Sequence, residues 1–567
     1  MTWARRRTFV ILTLVLGFFV LIWVGARTAR VNPPLPVNSV LLIDAQGTIN
    51  EQSSPNLLGI FEDNSTPVLH DYLDAIDYAR NDSRIAGIVV RMGTLETGWG
   101  KLEEIRAHLQ AFQSSGKPSI CYLGYDGVGN PEYYLASACN QVWLIPTNPI
   151  DIHGMMAEAM FFRGSLDKLK IIPQFYHIAE YKTATNELTE KKFTQPHREE
   201  VESILRGVYT EYVAEASQSR HMEKPAFEAI LNRGPLLSDE AVRDKLVDKL
   251  AYWDQVQEFF KSKVGNWNPV SLNRYRAYVP PGSGTQIAVV HATGLIVSGK
   301  SSTSPTSGFV MGGDSVASDI RDARNDSSIK AIILRVDSGG GSVVGSEVIR
   351  REVELARNVK PVVVSMSDVA ASGGYWISAP ANKIIADANT ETGSIGVLTG
   401  KLNLSGLYNL LGVSTDYVAT SDNATMFSDV QSFSPEQEAN IKKSLDETYA
   451  EFTGGVAKAR GMSSDAVDKI GKGRVWTGAQ AKAIGLVDEI GGSDRALAVA
   501  KDLAHIPANQ SVQIIRYPQE KSVFQQLVER AQDGEDDSRV SLEATLRKIV
   551  GVMGPVQARI PYELHIK

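Results

Sequence analysis

The sequence predicts an α/β protein made of two tandem, related domains that follow one N-terminal membrane-spanning helix. Three observations predict this: an uncharged N-terminal run, a sequence repeat at long range, and short β-branched runs that alternate with segments of helical period. The 567 residues exceed what one hydrophobic core usually organises. With 43% apolar and 22% charged residues, the composition is typical of a folded chain.

The predicted anchor comprises residues 1–30. Arg5, Arg6 and Arg7 precede an uncharged stretch that runs from Thr8 to Ala26. At about 1.5 Å per residue this stretch reaches roughly 28 Å, close to the thickness of the hydrocarbon core of a bilayer. The three arginines favour a cytoplasmic N-terminus, so we expect the rest of the chain on the other side of the membrane. The alternative is a cleaved signal peptide, but the apolar run is long for one.

Charge and cysteine content exclude several partners and sites. The net charge is -7, and the first thirty residues hold five Arg and no acidic residue, so the remaining chain is more acidic still and nucleic acid is not expected as a partner. The nine His lack metal-ligand spacing, which predicts no metal site. The two cysteines, Cys121 and Cys139, could form a bridge in an oxidising compartment, but their apolar surroundings favour buried free thiols.

An internal repeat divides the chain. Ala79 to Met92 reads ARNDSRIAGIVVRM, and Ala323 to Val336, 244 positions later, reads ARNDSSIKAIILRV. The register continues at offset 242, where YYLASACN from Tyr133 matches YWISAPAN from Tyr375. Two domains of common origin follow. The predicted boundaries are a first repeat at 38–262, a linker at 263–285, a second repeat at 284–505 and a C-terminal appendage at 506–567.

Within each repeat, the runs GIVVRM, AIILRV, PVVVSM and KIIAD predict buried strands. They alternate with segments of helical period, such as Ser315 to Arg324 and Ser346 to Arg357. This alternation predicts βαβ units with a mainly parallel sheet that is covered by helices on both faces.

A glycine-rich turn follows one of these strands in the second repeat. The strand AIILRV leads into Asp337 and Ser338 and then into the triplet Gly339 to Gly341, ahead of a helical pattern. Consecutive glycines suit a turn whose backbone N–H groups approach a ligand closely, as in an oxyanion hole. The plain alternative is a flexible turn. The run lacks GxxxxGK[ST], so a phosphate loop is disfavoured.

The next strand leads into Ser372, followed by Gly373 and Gly374. A serine where a turn meets a helix N-terminus, with the N–H of Gly373 beside it, is an arrangement that acyl transfer needs. Taken alone, such a serine could equally be a helix cap. The repeat register sets Asn130 opposite Ser372, so only the second repeat carries the hydroxyl.

A nucleophilic serine needs a base. The second repeat offers only His291, which reads as a strand residue, whereas the first repeat offers Lys182 in EYKTAT. The corresponding stretch of the second repeat, TSDNAT, has no Lys. A Lys can accept a proton only when its pKa falls from about 10.4 towards neutrality, which burial at a domain interface can achieve. The alternative for Lys182 is a solvated surface charge.

Together these motifs resemble a known family. DSGGGS, DVAASGGYWISAPANKI, ETGSIGV, EYKTA and RVWTGAQAKAIGLVDEIGG, behind an apolar anchor, are similar to the long, duplicated form of bacterial signal peptide peptidase A, also called protease IV. The resemblance runs from about residue 38 to 505, with the motifs in the order that the family has. It departs from the family at Gly339, where the usual motif SPGG has Pro.

The resemblance implies two tandem repeats of a fold similar to the Clp protease and crotonase group, and a serine endopeptidase that uses no cofactor. Ser372 matches the nucleophile and Lys182 the general base, while Gly373 and Gly340 match the oxyanion donors, with Gly341 left open as an alternative to Gly340. The implied substrates are cleaved signal peptides. The implied assembly is a homotetramer, anchored by a single span in the bacterial inner membrane with its catalytic body on the periplasmic side.

Two other classes of function remain open at this point. A crotonase-like acyl-CoA enzyme would stabilise an enolate with backbone N–H groups and would leave Ser372 unreactive towards serine-directed probes. A non-catalytic membrane scaffold would hydrolyse no peptide.

Overall fold

A computed structural model describes residues 34–52, 66–304, 308–519 and 554–559. The predicted anchor, residues 1–30, lies outside them. In the part of the chain that the structure describes, no helix is both long and apolar enough to cross a bilayer.

The first repeat alternates strands and helices. Its strands are β1 (Ser39–Gly47), β2 (Ile85–Leu95), β3 (Ser119–Leu123), β4 (Gln141–Leu144), β5 (Ile172–His177), β6 (Lys249–Leu250) and β7 (Asn268–Ser271). Its helices are α1 (Leu69–Asn81), α2 (Trp99–Phe112), α3 (Asn130–Ala136), α4 (Arg163–Lys168), α5 (Asn186–Thr189), α6 (Gln195–Ser219), α7 (Lys224–Leu231), α8 (Ser238–Arg243), α9 (Trp253–Val264) and α10 (Leu272–Tyr275).

The second repeat follows the same order with additional strands. Its strands are β8 (Thr285–Thr293), β9 (Leu295–Val297), β10 (Ser302–Ser304), β11 (Gly308–Gly312), β12 (Ile329–Ser338), β13 (Gly340–Ser342), β14 (Val362–Ala371), β15 (Lys383–Ala386), β16 (Glu391–Gly393), β17 (Leu398–Asn403), β18 (Val475–Thr477), β19 (Glu489–Ile490), β20 (Val512–Tyr517) and β21 (Gly554–Arg559). Its helices are α11 (Gly313–Asn325), α12 (Val343–Arg357), α13 (Gly373–Ser378), α14 (Ser405–Leu410), α15 (Pro435–Arg460), α16 (Ser464–Ile470), α17 (Gly478–Ala483) and α18 (Ser493–Leu503).

Each repeat is built on a parallel sheet, as predicted. The first sheet has the order β6-β4-β3-β2-β1-β7, and all its pairs are parallel. The second has the order β18-β16-β14-β12-β8-β20, with β15 beside β14, and only β16 and β18 pair antiparallel. The α/β class predicted from the sequence is therefore confirmed.

Helices cover both faces of each sheet. Val89 and Ile120 pack against Phe260 of α9 on one face of the first sheet, while alternate residues of the same strands pack against α1, α2 and α6 on the other. In the second repeat, α18 covers the face that carries Ile333 and Val363, and the larger core lies on the opposite face. Apolar residues at successive strand positions therefore all find cover, which is why these strands are continuously apolar in sequence.

The longest helix of each repeat begins at an equivalent cap. The side chain of Thr194 accepts a hydrogen bond from a backbone N–H in the first turn of α6, and that of Ser434 does the same for α15. Each helix also has Pro in its first turn, where the missing N–H costs nothing. The sequence therefore specifies where both helices begin.

The repeat seen in the sequence is also a repeat of hydrogen bonds. The hydroxyl of Tyr133 donates to the carbonyl of Leu246 (3.1 Å), and that of Tyr375 donates to the carbonyl of Leu486 (2.9 Å). The same correspondence holds for two arginine–aspartate pairs, Arg220 with Asp248 and Arg460 with Asp488. The two halves therefore share one framework.

A third, mixed sheet joins the repeats, and the sequence did not predict it. Its order is β10-β11-β9-β13-β21-β17-β5, so β5 of the first repeat pairs antiparallel with β17 of the second. Strand β21, from the predicted C-terminal appendage, lies between β13 and β17 and is antiparallel to both.

The predicted linker and the predicted appendage both contribute strands. Strand β7, within 263–285, pairs with β1 at the edge of the first sheet, and β20, within 506–567, pairs with β8 in the second. The domain boundaries stay a prediction.

Cys121 and Cys139 form a disulfide, with Cα atoms 5.8 Å apart. The preference for free thiols was wrong. Cys121 lies on β3 and Cys139 follows α3, so their proximity depends on how a helix returns to the sheet, which local composition does not report.

A buried cation fastens the two repeats together. Arg335 of β12 donates to both carboxylate oxygens of Glu51 (2.8 and 3.1 Å) and to Glu104 of α2. All three side chains are almost fully buried. Burial alone would raise the pKa of Glu51, but Arg335 holds it well below its ordinary value. Both carboxylates come from the first repeat, so the group joins the halves.

We expect Arg335→Met to lower the free energy of unfolding by about 3–5 kcal/mol, because it leaves two buried carboxylates without their cation. Denaturant unfolding followed by circular dichroism measures this change. The control is Arg351→Met, which removes an exposed ion pair with Glu354 and should change the value by no more than about 0.5 kcal/mol. Equal stabilities for the two variants would contradict the assigned role of Arg335.

Candidate active site

Ser372 lies at the junction that the sequence predicted, between the end of β14 and the start of α13. It is fully buried, and its backbone N–H donates to the carbonyl of Gly393 (2.8 Å). Its φ of 54° lies in the left-handed region, which costs a non-glycine residue about 1–3 kcal/mol. Strain of this kind is typical of residues whose side chain must point into a site.

Lys182 reaches Ser372 from the other repeat. Strand β5 pairs along β17, and the chain then turns so that the N–H of Tyr181 donates to the carbonyl of Lys472 (3.0 Å). The Nζ atom of Lys182 lies 2.7 Å from Oγ of Ser372. The structure therefore brings together the hydroxyl and the amine that the sequence placed in different repeats.

Two glycines of the second repeat make room for the lysine. A Cβ atom on Gly473 would lie 2.5 Å from the backbone nitrogen of Lys182, and one on Gly396 would lie 3.1 Å from its Cδ. Gly473 also has a φ of 77°, a conformation that side chains disfavour. The lysine stem is thus enclosed by backbone, and the whole residue is 0% exposed.

Burial determines the state of the amine. It lowers the pKa of Lys182 well below its ordinary value, while the charge of Glu200 acts in the opposite direction and raises it. Glu200 itself lies buried on α6 and accepts a hydrogen bond from the N–H of Val475 (2.7 Å). An enclosed amine of this kind is neutral over a much wider pH range than a solvated lysine.

Ser394 completes the surroundings of the amine, and sequence reasoning missed it. Nζ of Lys182 donates to Oγ of Ser394 (3.0 Å) and to its carbonyl oxygen (3.1 Å). Ser394 has a φ of 51°, and its N–H donates to the carbonyl of Arg474 (2.7 Å). It belongs to the motif ETGSIGV, which supported the family resemblance without indicating which residue touches the lysine.

The glycine turn lies against the start of α13. A Cβ atom on Gly374 would lie 2.4 Å from the carbonyl oxygen of Ser338, so the backbones of the turn and of the first turn of α13 are in close contact. The N–H of Gly340 donates to Oγ of Ser338 (3.1 Å), and Gly340 has a φ of 98°. Gly373 is the first residue of α13, so its N–H has no acceptor within that helix.

The position of the first repeat that is equivalent to Ser372 is occupied by an asparagine. Asn130 stands where Ser372 stands in the second repeat, and its Oδ1 accepts from the N–H of His153 (3.2 Å). The buried carboxylate of Glu132 accepts from the N–H groups of Leu95 (2.7 Å) and Gly129 (2.8 Å). An amide therefore replaces the hydroxyl at this place, and a carboxylate occupies the neighbouring N–H donors.

The other predicted base candidate, His291, lies on β8 opposite Arg335. Burial lowers its pKa to about 3. A histidine with so low a pKa is a weak proton acceptor near neutral pH, so its environment does not favour a role as base.

Among the described residues, one group of three could hold a metal ion: Asp77, His108 and Asp494. Nδ1 of His108 lies 3.0 Å from Asp77 and Nε2 lies 3.3 Å from Asp494. Burial lowers the pKa of His108, but the two carboxylates outweigh it and raise the value above the ordinary one. Nitrogens on opposite edges of one ring facing separate carboxylates suit an imidazolium ion pair better than a single metal ion.

A comparison with known proteins identifies the family of this chain. Residues 111–265 and 354–507 match Peptidase family S49, with one matched segment in each repeat. Protease 4 of Salmonella typhi is 36% identical over 526 residues, which cover 88% of this chain and 84% of that protein. The chloroplastic serine protease SPPA of Arabidopsis thaliana is 31% identical over 536 residues, which cover 92% of this chain and 77% of that protein.

Among solved structures, a mutant of ClpP1 from Listeria monocytogenes is 16% identical, covers 38% of this chain and 94% of its own, and has a TM-score of 0.24. A TM-score this low establishes no common fold, so the similarity to Clp protease and crotonase stays a prediction. The two matched segments and the long alignments do establish the family. This chain belongs to peptidase family S49 and is a serine protease.

Proposed function

We propose that Ser372 is the nucleophile and Lys182 the general base of this protease, and that its substrates are signal peptides after their cleavage from preproteins. The observation that carries the proposal is the distance of 2.7 Å between Lys182 Nζ and Ser372 Oγ, with both side chains fully buried. The signal peptides come from the family resemblance, and the catalytic assignment comes from the geometry.

The hydrogen bonds around Nζ can all be made by the neutral amine that burial of Lys182 favours. A neutral amine has two N–H groups and one lone pair, and Nζ has three polar neighbours. When Lys182 donates to Oγ and to the carbonyl of Ser394, its lone pair is left for the hydroxyl proton of Ser372. This is the arrangement a base needs before it accepts that proton.

Oγ of Ser372 attacks the carbonyl carbon of the scissile peptide bond while its proton passes to Nζ of Lys182. The tetrahedral intermediate then collapses, the C–N bond breaks, and the leaving amine takes the proton from Nζ. Water attacks the acyl-enzyme in the same way, giving its proton to Nζ, and the ester bond breaks as that proton returns to Oγ. The carboxylic acid product leaves, and both residues are regenerated.

The negative charge of the intermediate needs backbone donors. We assign this role to the N–H groups of Gly373 and Gly340. Gly373 N–H, at the first position of α13, is free of helix acceptors, whereas Gly340 N–H must exchange Oγ of Ser338 for the oxyanion. Strand β21 pairs antiparallel with β13 at this place, with Gly340 opposite Arg559. A substrate peptide that ran alongside these donors in the same way would take the place of β21.

We further propose that residues 1–30 anchor the protein in the bacterial inner membrane, with the catalytic body on the periplasmic side, and that it assembles as a homotetramer. The disulfide between Cys121 and Cys139 supports an oxidising compartment. Large apolar side chains exposed at Leu411, Val418 and Phe427 support an assembly that covers them. Light scattering of the detergent-purified full chain tests the subunit number, and a monomeric mass would contradict the tetramer.

We expect Ser372→Ala and Lys182→Ala each to be folded and to lose at least about a thousandfold in kcat/KM, because either change removes the proton transfer that activates the nucleophile. Hydrolysis of a quenched apolar peptide measures the loss, and a serine-directed fluorophosphonate probe reports on Ser372. The exposed changes Ser114→Ala and Lys443→Ala are the matched controls. Full activity of Lys182→Ala near neutral pH would remove the base assignment.

Lys182 should also make stability depend on pH. Its pKa is lowered on folding, so between that value and its unfolded pKa near 10.4 the unfolded chain binds a proton that the folded chain does not. Stability must therefore fall as pH falls through this window, by at most about 1.4 kcal/mol per pH unit. We expect Lys182→Met to lose this part of the slope in unfolding experiments between about pH 10 and pH 7. Parallel curves for the two proteins would mean that the buried amine is charged.

Ser394 should act through the lysine rather than on the substrate. We expect Ser394→Ala to lower kcat about fivefold to a hundredfold with little change in KM, because a hydrogen bond that orients the amine is lost. Steady-state kinetics measure this split. The control is Ser217→Ala, which removes another buried hydroxyl, one that donates to a carbonyl within α6. A rise in KM alone would contradict the positioning role.

A further inference from the structure

A second lysine of the first repeat is buried at the same interface. Lys101 is in the first turn of α2, with 6% of its surface exposed. Its Nζ donates to Oδ2 of Asp337 (2.7 Å) and to Oδ2 of Asp368 (2.6 Å). Both carboxylates belong to the second repeat, so this ion group, like the dyad, is completed by residues from both halves.

The two carboxylates lie just ahead of the catalytic segments. Asp337 is next to Ser338, where the glycine turn begins, and Asp368 lies four residues before Ser372 on β14. The glycine turn and the segment that carries Ser372 therefore both begin beside the ammonium group of Lys101.

The sheet is irregular at this point. Val336 pairs with Met366, but Ser338 pairs with Ala370, so Asp337 alone faces three residues of β14. Oδ1 of Asp337 bridges part of the gap by accepting from the N–H of Val369 (3.2 Å). Regular backbone pairing does not set the separation of the two strands here, and side chains must do so.

The backbone of α2 docks on the same carboxylate. The N–H of Lys101 donates to Oδ1 of Asp368 (2.9 Å), so Asp368 binds the start of the helix as well as the lysine amine. A Cβ atom on Gly98 would lie 2.2 Å from Cγ of Asp368, and one on Gly100 would lie 3.0 Å from the carbonyl oxygen of Ser367. The position of Lys101 relative to β14 is therefore fixed by close backbone contacts.

The charges support a permanent cation. Burial would lower the pKa of Lys101, but Asp337 and Asp368 together raise it above its ordinary value. Without the ammonium group, two acidic side chains would face each other in a buried site, and their repulsion would separate the strands.

We propose that Lys101 is a positioning residue for acyl transfer: by holding the ends of β12 and β14 together, it sets the glycine turn against Ser372. The proposal rests on the proposed catalytic roles of Ser372 and Gly340. It also couples the two halves, because the repeat that supplies Lys182 supplies this clamp. Positioning errors of about 1 Å can cost a hundredfold in rate.

The test compares Lys101→Met, in the full chain, with the wild type. We expect kcat and the rate of fluorophosphonate labelling at Ser372 to fall about tenfold to a hundredfold per folded molecule, with KM changed less than about twofold. The control is Lys117→Met, a partly buried lysine of the same repeat whose Nζ donates to carbonyls of its own repeat, at Ala79 and Asp82. It should lose stability and keep the wild-type kcat.

The double variant Lys101→Met with Asp337→Asn removes one positive and one negative charge. It shows whether Lys101 acts by positioning the strands or only by neutralising Asp337, and it replaces the single variant if that one does not fold. We expect its unfolding temperature to recover while kcat stays low. Wild-type kcat in either folded variant would overturn the proposal. Absence of labelling at Ser372 in the wild type would instead refute the proposed function, so the two failures are distinguishable.

Discussion

The buried contact between the amine of Lys182 and the hydroxyl of Ser372 is the constraint on which the rest of this structure depends. A lysine can take a proton from serine only when it is neutral, and burial is what lowers the pKa of Lys182 in this structure. Burial here requires both halves of the chain, because Lys182 lies in the turn that follows β5 of the first repeat and is enclosed by Gly396 and Gly473 of the second. The pairing of β5 with β17 thus helps to place the amine of Lys182 beside the hydroxyl of Ser372.

Acidic side chains of the first repeat give this interface its precise orientation. Glu103 accepts from the N–H groups of Ala388 and Asn389, Glu104 from that of Ser493, and Glu200 from that of Val475. An apolar interface of the same area tolerates small sliding movements, whereas buried carboxylates on fixed backbone donors do not. Contacts that involve neither Lys182 nor Ser372 therefore help to hold these two residues at hydrogen-bond distance.

Aligning the two repeats of the sequence was enough to predict the class of fold and the common framework. It also predicted that the hydroxyl of Ser372 and the amine of Lys182 belong to different repeats. It missed Ser394, since nothing in a motif reveals which serine adopts a positive φ. It missed the contact of Lys101 with Asp337, which lies 236 positions away and depends on docking. Local composition misled it at Cys121 and Cys139, because pairing follows from the path of the chain and not from apolar neighbours.

The first repeat lacks the pairing of hydroxyl and amine that the second repeat contains. Because Nζ of Lys182 contacts Ser372 of the second repeat, a hydroxyl in the place of Asn130 would not have this lysine as its partner. In the first repeat this region instead stabilises the fold, because the carboxylate of Glu132 accepts hydrogen bonds from the N–H groups of Leu95 and Gly129. A change of Asn130→Ser would therefore restore a hydroxyl beside donors that a carboxylate already occupies. The asymmetry of the two halves therefore lies in the hydrogen bonds of Glu132 as well as in the identity of residue 130, and Asn130→Ser alone changes only the second of these.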